Sequence, residues 1–494
     1  MLDEGVLIEV PQSMKPFILF FCCITYNHLT KHIFLRIFRA VQTSNNDRTI
    51  VSSSRYWHRG MSEKALQNMT GSHKKIRQRV ARVDNQAALE NAPSPCVKIL
   101  PYGRQVIDDE DIAAVIEVLR SDWLTTGPMV REFEMQFAQT VGAKYAVACS
   151  SGTAALHLAA MALHLGPGDQ VIVPTMTFLA TANAARYVGA DVVFCDVDPA
   201  TGLMTAETFD LALKSAPRAK AVIPVHLAGQ CADMVTIQAL AHQHGLAVIE
   251  DACHALGGFQ DCKRISSPVG SCTMSDMSVF SLHPVKIITT GEGGAITTNN
   301  ERLFERLCNL RVHGITKIPS DLTSKSLAFD AAGEPNPWYY EMRELGYNYR
   351  ISDINCALGI TQLAKLAGFV ERRREIVALY DDFLKPLAPL VMPLGRTTTS
   401  APAWHLYIVR IDFKAVKISR AEVMRAMSET GVGTQVHYIP VHHQPYYKAL
   451  YGYKHFPGAE RYYDHCLSIP LYPTMTDEDV MVVVQALQTV LGEK

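Results

Sequence analysis

The chain has 494 residues, 48% of them hydrophobic, and its 47 Lys and Arg are balanced by 48 Asp and Glu. That length predicts more than one domain and a large core, and the even charge argues against nucleic acid or an anionic membrane as the main partner. The twelve cysteines include no Cys-x-x-Cys pair, so no zinc spacing and no disulfide framework is expected. They read as reduced thiols, which suits a cytoplasmic protein with no metal.

Residues 1–98 differ from the rest. The apolar run Phe17–Ile24 falls well short of the ~20 residues that span a bilayer, so no integral membrane segment is expected. Between Leu7 and Gly60, Lys15, Lys31, Arg36, Arg39, Arg48, Arg55 and Arg59 outnumber Glu9 and Asp47. A targeting segment or peripheral anchor would look like this. Two plainer readings are preferred: a disordered, non-catalytic extension, or translated sequence upstream of a start near Met61 or Met69. Gly71 to Pro95 reads as linker.

From Tyr102 onward, strands and helices alternate. Asp108–Leu119 carries Ile112, Val115, Ile116 and Leu119 at helical spacing. Strands are expected at Tyr145–Cys149, Gln170–Pro174, Asp191–Asp196, Ala219–Val225, Leu246–Glu250, Met277–Ser281 and Gly294–Thr298. Helices are expected at Ala154–Leu163, Leu179–Tyr187, Ala206–Leu213, Val235–His244 and Glu301–Val312. This alternation predicts an α/β large domain, a mainly parallel sheet with helices on both faces, over residues 99–351. Ser352 to Leu384 reads as one long helical connector whose patch Glu371–Glu375 is a solvated face. A smaller α+β domain completes residues 352–494, with a strand at Trp404–Ile411.

Three strand ends carry chemistry. After Ala146–Cys149 come Ser150-Ser151-Gly152-Thr153 and a helix; unpaired amides at a helix start bind phosphate, although an ordinary N-cap looks the same. After Leu246–Ile249, Asp251 emerges at the carboxyl edge of the sheet, where open α/β sheets bind ligands. An anion there would keep a pyridinium protonated; the plainer reading is a capping or ion-paired Asp. Lys286 follows the run Met277–Phe280 and precedes the turn Gly291-Glu292-Gly293-Gly294. It is a good seat for an amine that condenses with an aldehyde cofactor, against the plain reading of a surface lysine.

Phosphate cradle, carboxylate and lysine in this order resemble the fold-type I pyridoxal-phosphate enzymes. Ser281-Leu282-His283-Pro284-Val285-Lys286 with Thr289–Gly294, Glu250–Ala255, and Leu345–Ser352 are similar to the DegT/StrS-type sugar-nucleotide aminotransferases. The resemblance runs from about Ile99 to the C-terminus. Pro101–Gln105, Arg120–Pro128, Pro337–Glu341 and His437–His442 resemble the pseudaminic acid branch of that family. This implies pyridoxal 5'-phosphate as cofactor, a nucleotide sugar and L-glutamate as substrates, and a homodimer with shared active sites. The implied reaction gives the 4-amino sugar from a UDP-linked 4-keto-6-deoxy-N-acetyl hexosamine, a UDP-4-amino-4,6-dideoxy-N-acetyl-β-L-altrosamine transaminase-like activity.

The resemblance assigns Lys286 to the Schiff base and proton shuttle, Asp251 to the ring nitrogen, and His254 to the phenolic oxygen. Gly152, Thr153 and Ser281 would bind phosphate. Phe178 would lie near the ring, and Asn348 would reach the neighbouring subunit's cofactor. Thr125, Thr126, His437, Tyr438 and His442 are candidates for the nucleotide sugar. Leu282 and Ile287-Ile288 depart from the common pattern and leave the substrate open. Another nucleotide-sugar 3- or 4-aminotransferase, dTDP- or GDP-linked, is the main alternative. A sugar dehydratase of the family would replace Lys286 with His. An amino-acid transaminase would need a carboxylate anchor, for which Arg410 is the candidate.

Overall fold

The computed structural model describes residues 98–262 and 265–492. The targeting, anchor and disorder readings for the N-terminal extension fall outside them, apart from Lys98. That residue holds Asp479 at 2.6 and 2.8 Å, and Leu100 exchanges backbone hydrogen bonds with Gly431 and Gly433. No described helix is long and apolar enough to cross a membrane.

The strands in chain order are β1 (Tyr145–Cys149), β2 (Gln170–Pro174), β3 (Asp191–Cys195), β4 (Ala219–Val222), β5 (Ala247–Asp251), β6 (Phe259–Cys262), β7 (Ile265–Pro268), β8 (Met277–Ser281) and β9 (Gly294–Thr298). Seven form one sheet in the order β1-β9-β8-β5-β4-β2-β3. β9 runs against both neighbours and the other pairings are parallel. β6 and β7 make a separate hairpin, which the sequence reading did not contain. Successive residues of β2 go to opposite cores: Val171 and Val173 face one apolar cluster, Ile172 the other. Val192 and Val193 of β3 divide the same way. A strand buried on both faces reads as a continuous apolar run, and this fold class is the one expected.

Helices flank the sheet. α1 (Asp109–Arg120) starts on a capping box between Asp108 and Asp111. α2 (Pro128–Val141), absent from the sequence reading, has Pro in its first turn and ends at Gly142 with φ 72°. Its signal was present: Phe133, Phe137 and Val141 recur at one-turn spacing and all are buried. α3 spans Gly152–Ala162, beginning two residues before the predicted helix. This puts Gly152 and Thr153 into the first turn.

Two expectations about the connector are corrected. It is two helices, Asp353–Ala364 and Leu366–Phe383, joined at Lys365. The Lys365 ammonium reaches Asp108 at 2.5 Å and Asp111 at 3.1 Å, so the joint is clamped to the start of α1. Nor is Glu371–Glu375 wholly a solvated face. Arg373 is 1% exposed, and its Nη1 donates to the carbonyls of Leu471, His405 and Trp404 at 2.9, 3.2 and 3.4 Å. Burial lowers its pKa to about 9. It is buried because it satisfies carbonyls of irregular backbone that no ladder reaches.

The C-terminal part forms an antiparallel sheet of Val391–Pro393, Tyr407–Ile411 and Cys466–Ile469. The strand predicted from Trp404 begins at Tyr407. Leu366–Phe383 and Asp477–Leu491 pack on it through Tyr380, Val409, Leu467 and Val483.

Candidate active site

The carboxyl ends of β1, β5 and β8 open on one cleft of about 490 Å³. Ser151 caps α3 by accepting from the Ala154 amide at 3.1 Å. The amides of Gly152 and Thr153, ahead of that bond, have no intrahelical acceptor and point out of a positive helix end. A Cβ on Gly152 would stand 2.8 Å from Ser281 Cβ and 3.2 Å from its Oγ. Only glycine lets the helix start close on the end of β8. On Gly294 a Cβ would meet Ser151 O at 2.4 Å, which fixes the same loop from behind. The Ser281 hydroxyl and Thr153 line the cleft beside those amides.

Asp251 ends β5 and is 5% exposed. Its Oδ2 accepts from Thr181 Oγ1 at 2.7 Å and its Oδ1 from the Cys253 amide at 3.2 Å. Thr181 is in turn held by Thr177 Oγ1 at 2.7 Å. Each oxygen keeps a further lone pair, and Asp251 lines the cleft.

Lys286 is half-buried on the loop after β8, where its amide donates to His283 O at 2.8 Å. Its ammonium has no partner among the described residues. Burial pushes its pKa below the usual lysine value, against the opposing pull of Cys253 and Asp251. An unpartnered lysine in a cleft, with burial favouring its uncharged form, is placed to act as a nucleophile.

Histidines and a tyrosine form the far wall. His254 Nδ1 accepts from the Ala228 amide at 3.3 Å, which leaves the proton on Nε2, 3.0 Å from Tyr438 Oη. His437 Nδ1 lies 2.8 Å from Ser468 Oγ. Burial, then the nearby Lys286, lowers His437 to about 3. Burial and the same lysine hold His254 and His405 well below the ordinary value. All three rings are neutral at pH 7. Phe178 caps Leu179–Tyr187 and is 55% exposed, over the cleft and 5.9 Å from the Tyr438 ring. It is not a core residue.

Nine expected residues thus come together: Lys286, Gly152, Thr153, Phe178, Asp251, His254, Ser281, His437 and Tyr438, with Thr181 and His405 added by the structure. The others do not line this cleft. Thr126 lines a separate cavity with Arg131, Arg311 and Arg350, and Thr125 bridges to Ser352. Asn348 is exposed and bridges to Val312. His442 is buried behind the wall, with Nδ1 2.5 Å from Thr175 Oγ1. Arg410 is turned away, donating to Pro393 O at 3.3 Å. Sequence reasoning missed Thr181, His405 and Tyr102. Thr177 and Thr181, four apart at a helix start, were a usable sign; His405, inside a strand-like run, gave none.

The arrangement fits pyridoxal phosphate. Bare amides and two hydroxyls suit a phosphate dianion, and Asp251 keeps acceptor capacity for a ring N–H. Lys286 offers an amine with its pKa already lowered.

Comparison with known proteins agrees. The profile of the DegT/DnrJ/EryC1/StrS aminotransferase family matches residues 105–488. The spore coat polysaccharide biosynthesis protein SpsC of Bacillus subtilis is 40% identical over 395 residues, covering 79% of this chain and 97% of that protein. Helicobacter pylori PseC, an aminotransferase involved in the biosynthesis of pseudoaminic acid, superposes with TM-score 0.71 at 28% identity, over 80% of this chain and 100% of its own. Spr1654 of Streptococcus pneumoniae, a proposed sugar aminotransferase, is 28% identical in both its PLP and PMP forms, with TM-scores 0.69 and 0.70, covering 80% of this chain and 99% of its own.

Proposed function

Because the chain belongs to the DegT/DnrJ/EryC1/StrS aminotransferase family, whose activity is pyridoxal-phosphate-dependent transfer of amino groups to nucleotide sugars, we propose that Lys286 and Asp251 carry that reaction here on a 4-keto sugar. The observation behind this is a single cleft that joins a free Lys286 amine, the Asp251 carboxylate and the bare amides of Gly152 and Thr153.

Bound there, pyridoxal phosphate supplies the electron sink for nitrogen exchange. The chain's own groups do the rest. Gly152 and Thr153 amides and the Ser281 hydroxyl hold the phosphate. Asp251 keeps the proton on the ring nitrogen. Lys286 Nζ would hold the cofactor through its aldehyde and, when free, would be the base and acid that moves the proton. His254, its proton placed on Nε2 by the Ala228 amide, would serve the phenolic oxygen by turning that N–H from Tyr438 Oη. Phe178 would lie over the ring, and His437 and Tyr438, on the far wall of the cleft, would face the sugar.

The substrate reading we put first is the broad one, a nucleotide-linked keto sugar. Relatives named for a spore-coat polysaccharide and for pseudoaminic acid support breadth over any one sugar. A UDP-linked 4-keto-6-deoxy-N-acetyl hexosamine with L-glutamate as donor is the narrower form of the proposal. Arg410, turned from the cleft, gives no support to an amino-acid transaminase, and the retained Lys286 none to a dehydratase. We further propose a homodimer with shared sites, supported by the exposure of Asn348 and by Thr126 and Arg350 lining a cavity of their own. A cytoplasmic location is in keeping with the unpaired state of the described cysteines.

The test is purified holoenzyme with L-glutamate and a panel of UDP- and dTDP-linked 4-keto sugars, read by mass. An amino-sugar product from any member supports the broad reading. Higher efficiency on a dTDP-4-keto-6-deoxyglucose than on the UDP-N-acetyl sugar overturns the narrow one. Turnover of 2-oxo acids alone overturns both.

A further inference from the structure

Behind the cleft wall, one group of side chains has bonding capacity that nothing meets. The loop carrying His437 and Tyr438 continues into the short turn Val441–His443. That turn sets two consecutive histidines against the helix Pro457–His465. His442 is 4% exposed, and its Nε2 has no hydrogen-bond partner. Glu460 Oε1 is also buried and unpartnered. It lies 3.8 Å from His442 Nε2 and 3.8 Å from His443 Nε2, beyond hydrogen-bond reach of both. All three atoms fall within 4.8 Å of one another.

Two imidazole nitrogens and a carboxylate oxygen converging without contact describe a ligand set around a small space. Ligands about 2.0–2.1 Å from a tetrahedral zinc ion stand ~3.3–3.4 Å apart, so the two histidine–glutamate separations of 3.8 Å would contract by about half an ångström, and the two histidine nitrogens, within 4.8 Å of each other, by at most ~1.4 Å, a rotamer adjustment of the half-buried His443. The outer contacts also suit a metal centre. Thr175 Oγ1 fixes His442 through Nδ1 at 2.5 Å, and His455 Nδ1 holds the other Glu460 oxygen at 3.0 Å. Partners of this kind orient metal ligands.

We infer that His442, His443 and Glu460 bind a divalent transition-metal ion, zinc by their donor types, with a fourth position left for water. The ion lies outside the cleft and takes no part in amino transfer. Its place is structural. Val441 N donates to Thr175 O at 2.8 Å, just past β2. The amides of Gly458 and Ala459 hold the Asp196 carboxylate, just past β3, at 2.9 and 2.8 Å. One ion would therefore tie two strand ends, the helix and the loop bearing the cleft wall. This role does not depend on which sugar is aminated.

The experiment uses untagged holoenzyme, stripped with chelator and dialysed, then titrated with zinc by equilibrium dialysis and elemental analysis. One zinc per chain at micromolar free metal is expected, with a rise in Tm. His443→Ala and Glu460→Gln should each weaken binding at least tenfold and abolish the Tm rise while keeping the cofactor's visible absorbance. Cobalt(II) added to wild type should give the intense visible bands of a low-coordinate site. Equal zinc binding by wild type and both variants overturns the assignment. So does filling only at millimolar zinc, or a cobalt spectrum like that of the aqueous ion, either of which would mean that water occupies the space.

Discussion

Glu250 and Asp251 are neighbours on one strand, and they face opposite sides of the sheet. On its side Glu250 is saturated. His226 Nε2 and Gln260 Nε2 sit 2.7 Å from Oε2, while Ser275 and Ser278 hydroxyls donate to Oε1 at 2.5 and 2.9 Å. Burial alone would raise its pKa, but His226 and the other donors outweigh that and hold it below the usual carboxylate range. Asp251 has two donors and an open side toward Lys286. Burial and a carboxylate are common to both residues. What separates a structural acid from a chemical one is bonding capacity left over and a cavity to direct it into.

The largest effect should come from the partner across that cavity. Lys286→Ala should lower kcat by more than the ~10²–10⁴-fold of a lost proton transfer, since cofactor attachment is lost as well; single-turnover kinetics checks it. Asp251→Asn removes the charge and can keep both contacts once the Thr181 hydroxyl reverses to accept from the new amide nitrogen while the amide oxygen accepts from Cys253 N. A fall of about 10²-fold in kcat with an unchanged Tm is expected. If Glu250→Gln did the same, the contrast between the two faces would be broken. Glu250→Gln should instead leave kcat of the folded enzyme intact and cost about 3 kcal/mol of stability, as when one member of a buried pair is removed. Gly152→Ala should weaken cofactor binding about 10- to 100-fold, the scale of an overpacking strain of ~1–3 kcal/mol.

How much of this was legible in the sequence follows from distance along the chain. Lys286, Asp251 and Gly152 each sit within a few residues of the strand that positions them, so a short apolar run before a turn was enough. Residues whose role depends on remote contacts were harder to read. Tyr438 meets His254 across 184 positions, and His442 meets Thr175 across 267. Arg373 looked like a solvated charge because the carbonyls it satisfies belong to Trp404, His405 and Leu471, which its own helix does not announce. The saturation of Glu250 was hidden for the same reason.

The smallest effect is a separation of pH windows. His437, lowered to about 3, and His254 and His405, also lowered, take up protons in the unfolded chain before the folded one. Their stabilising contribution is complete above about pH 6.5 and falls as pH drops from there toward 3. Glu250, also lowered, contributes above about pH 4.3 and is lost only below it. Tm should therefore begin to decline near pH 6.5, and His437→Gln should flatten that first decline without altering the lower one.

The central claim, that the Asp251 face of the sheet is the reacting face, rests on which lysine carries the cofactor. Borohydride reduction of the wild-type holoenzyme, followed by digestion and peptide mass analysis, reads this directly. A single pyridoxyl mass on the peptide containing Lys286 is the predicted result. A label on any other lysine, with Lys286 unmodified, would contradict it.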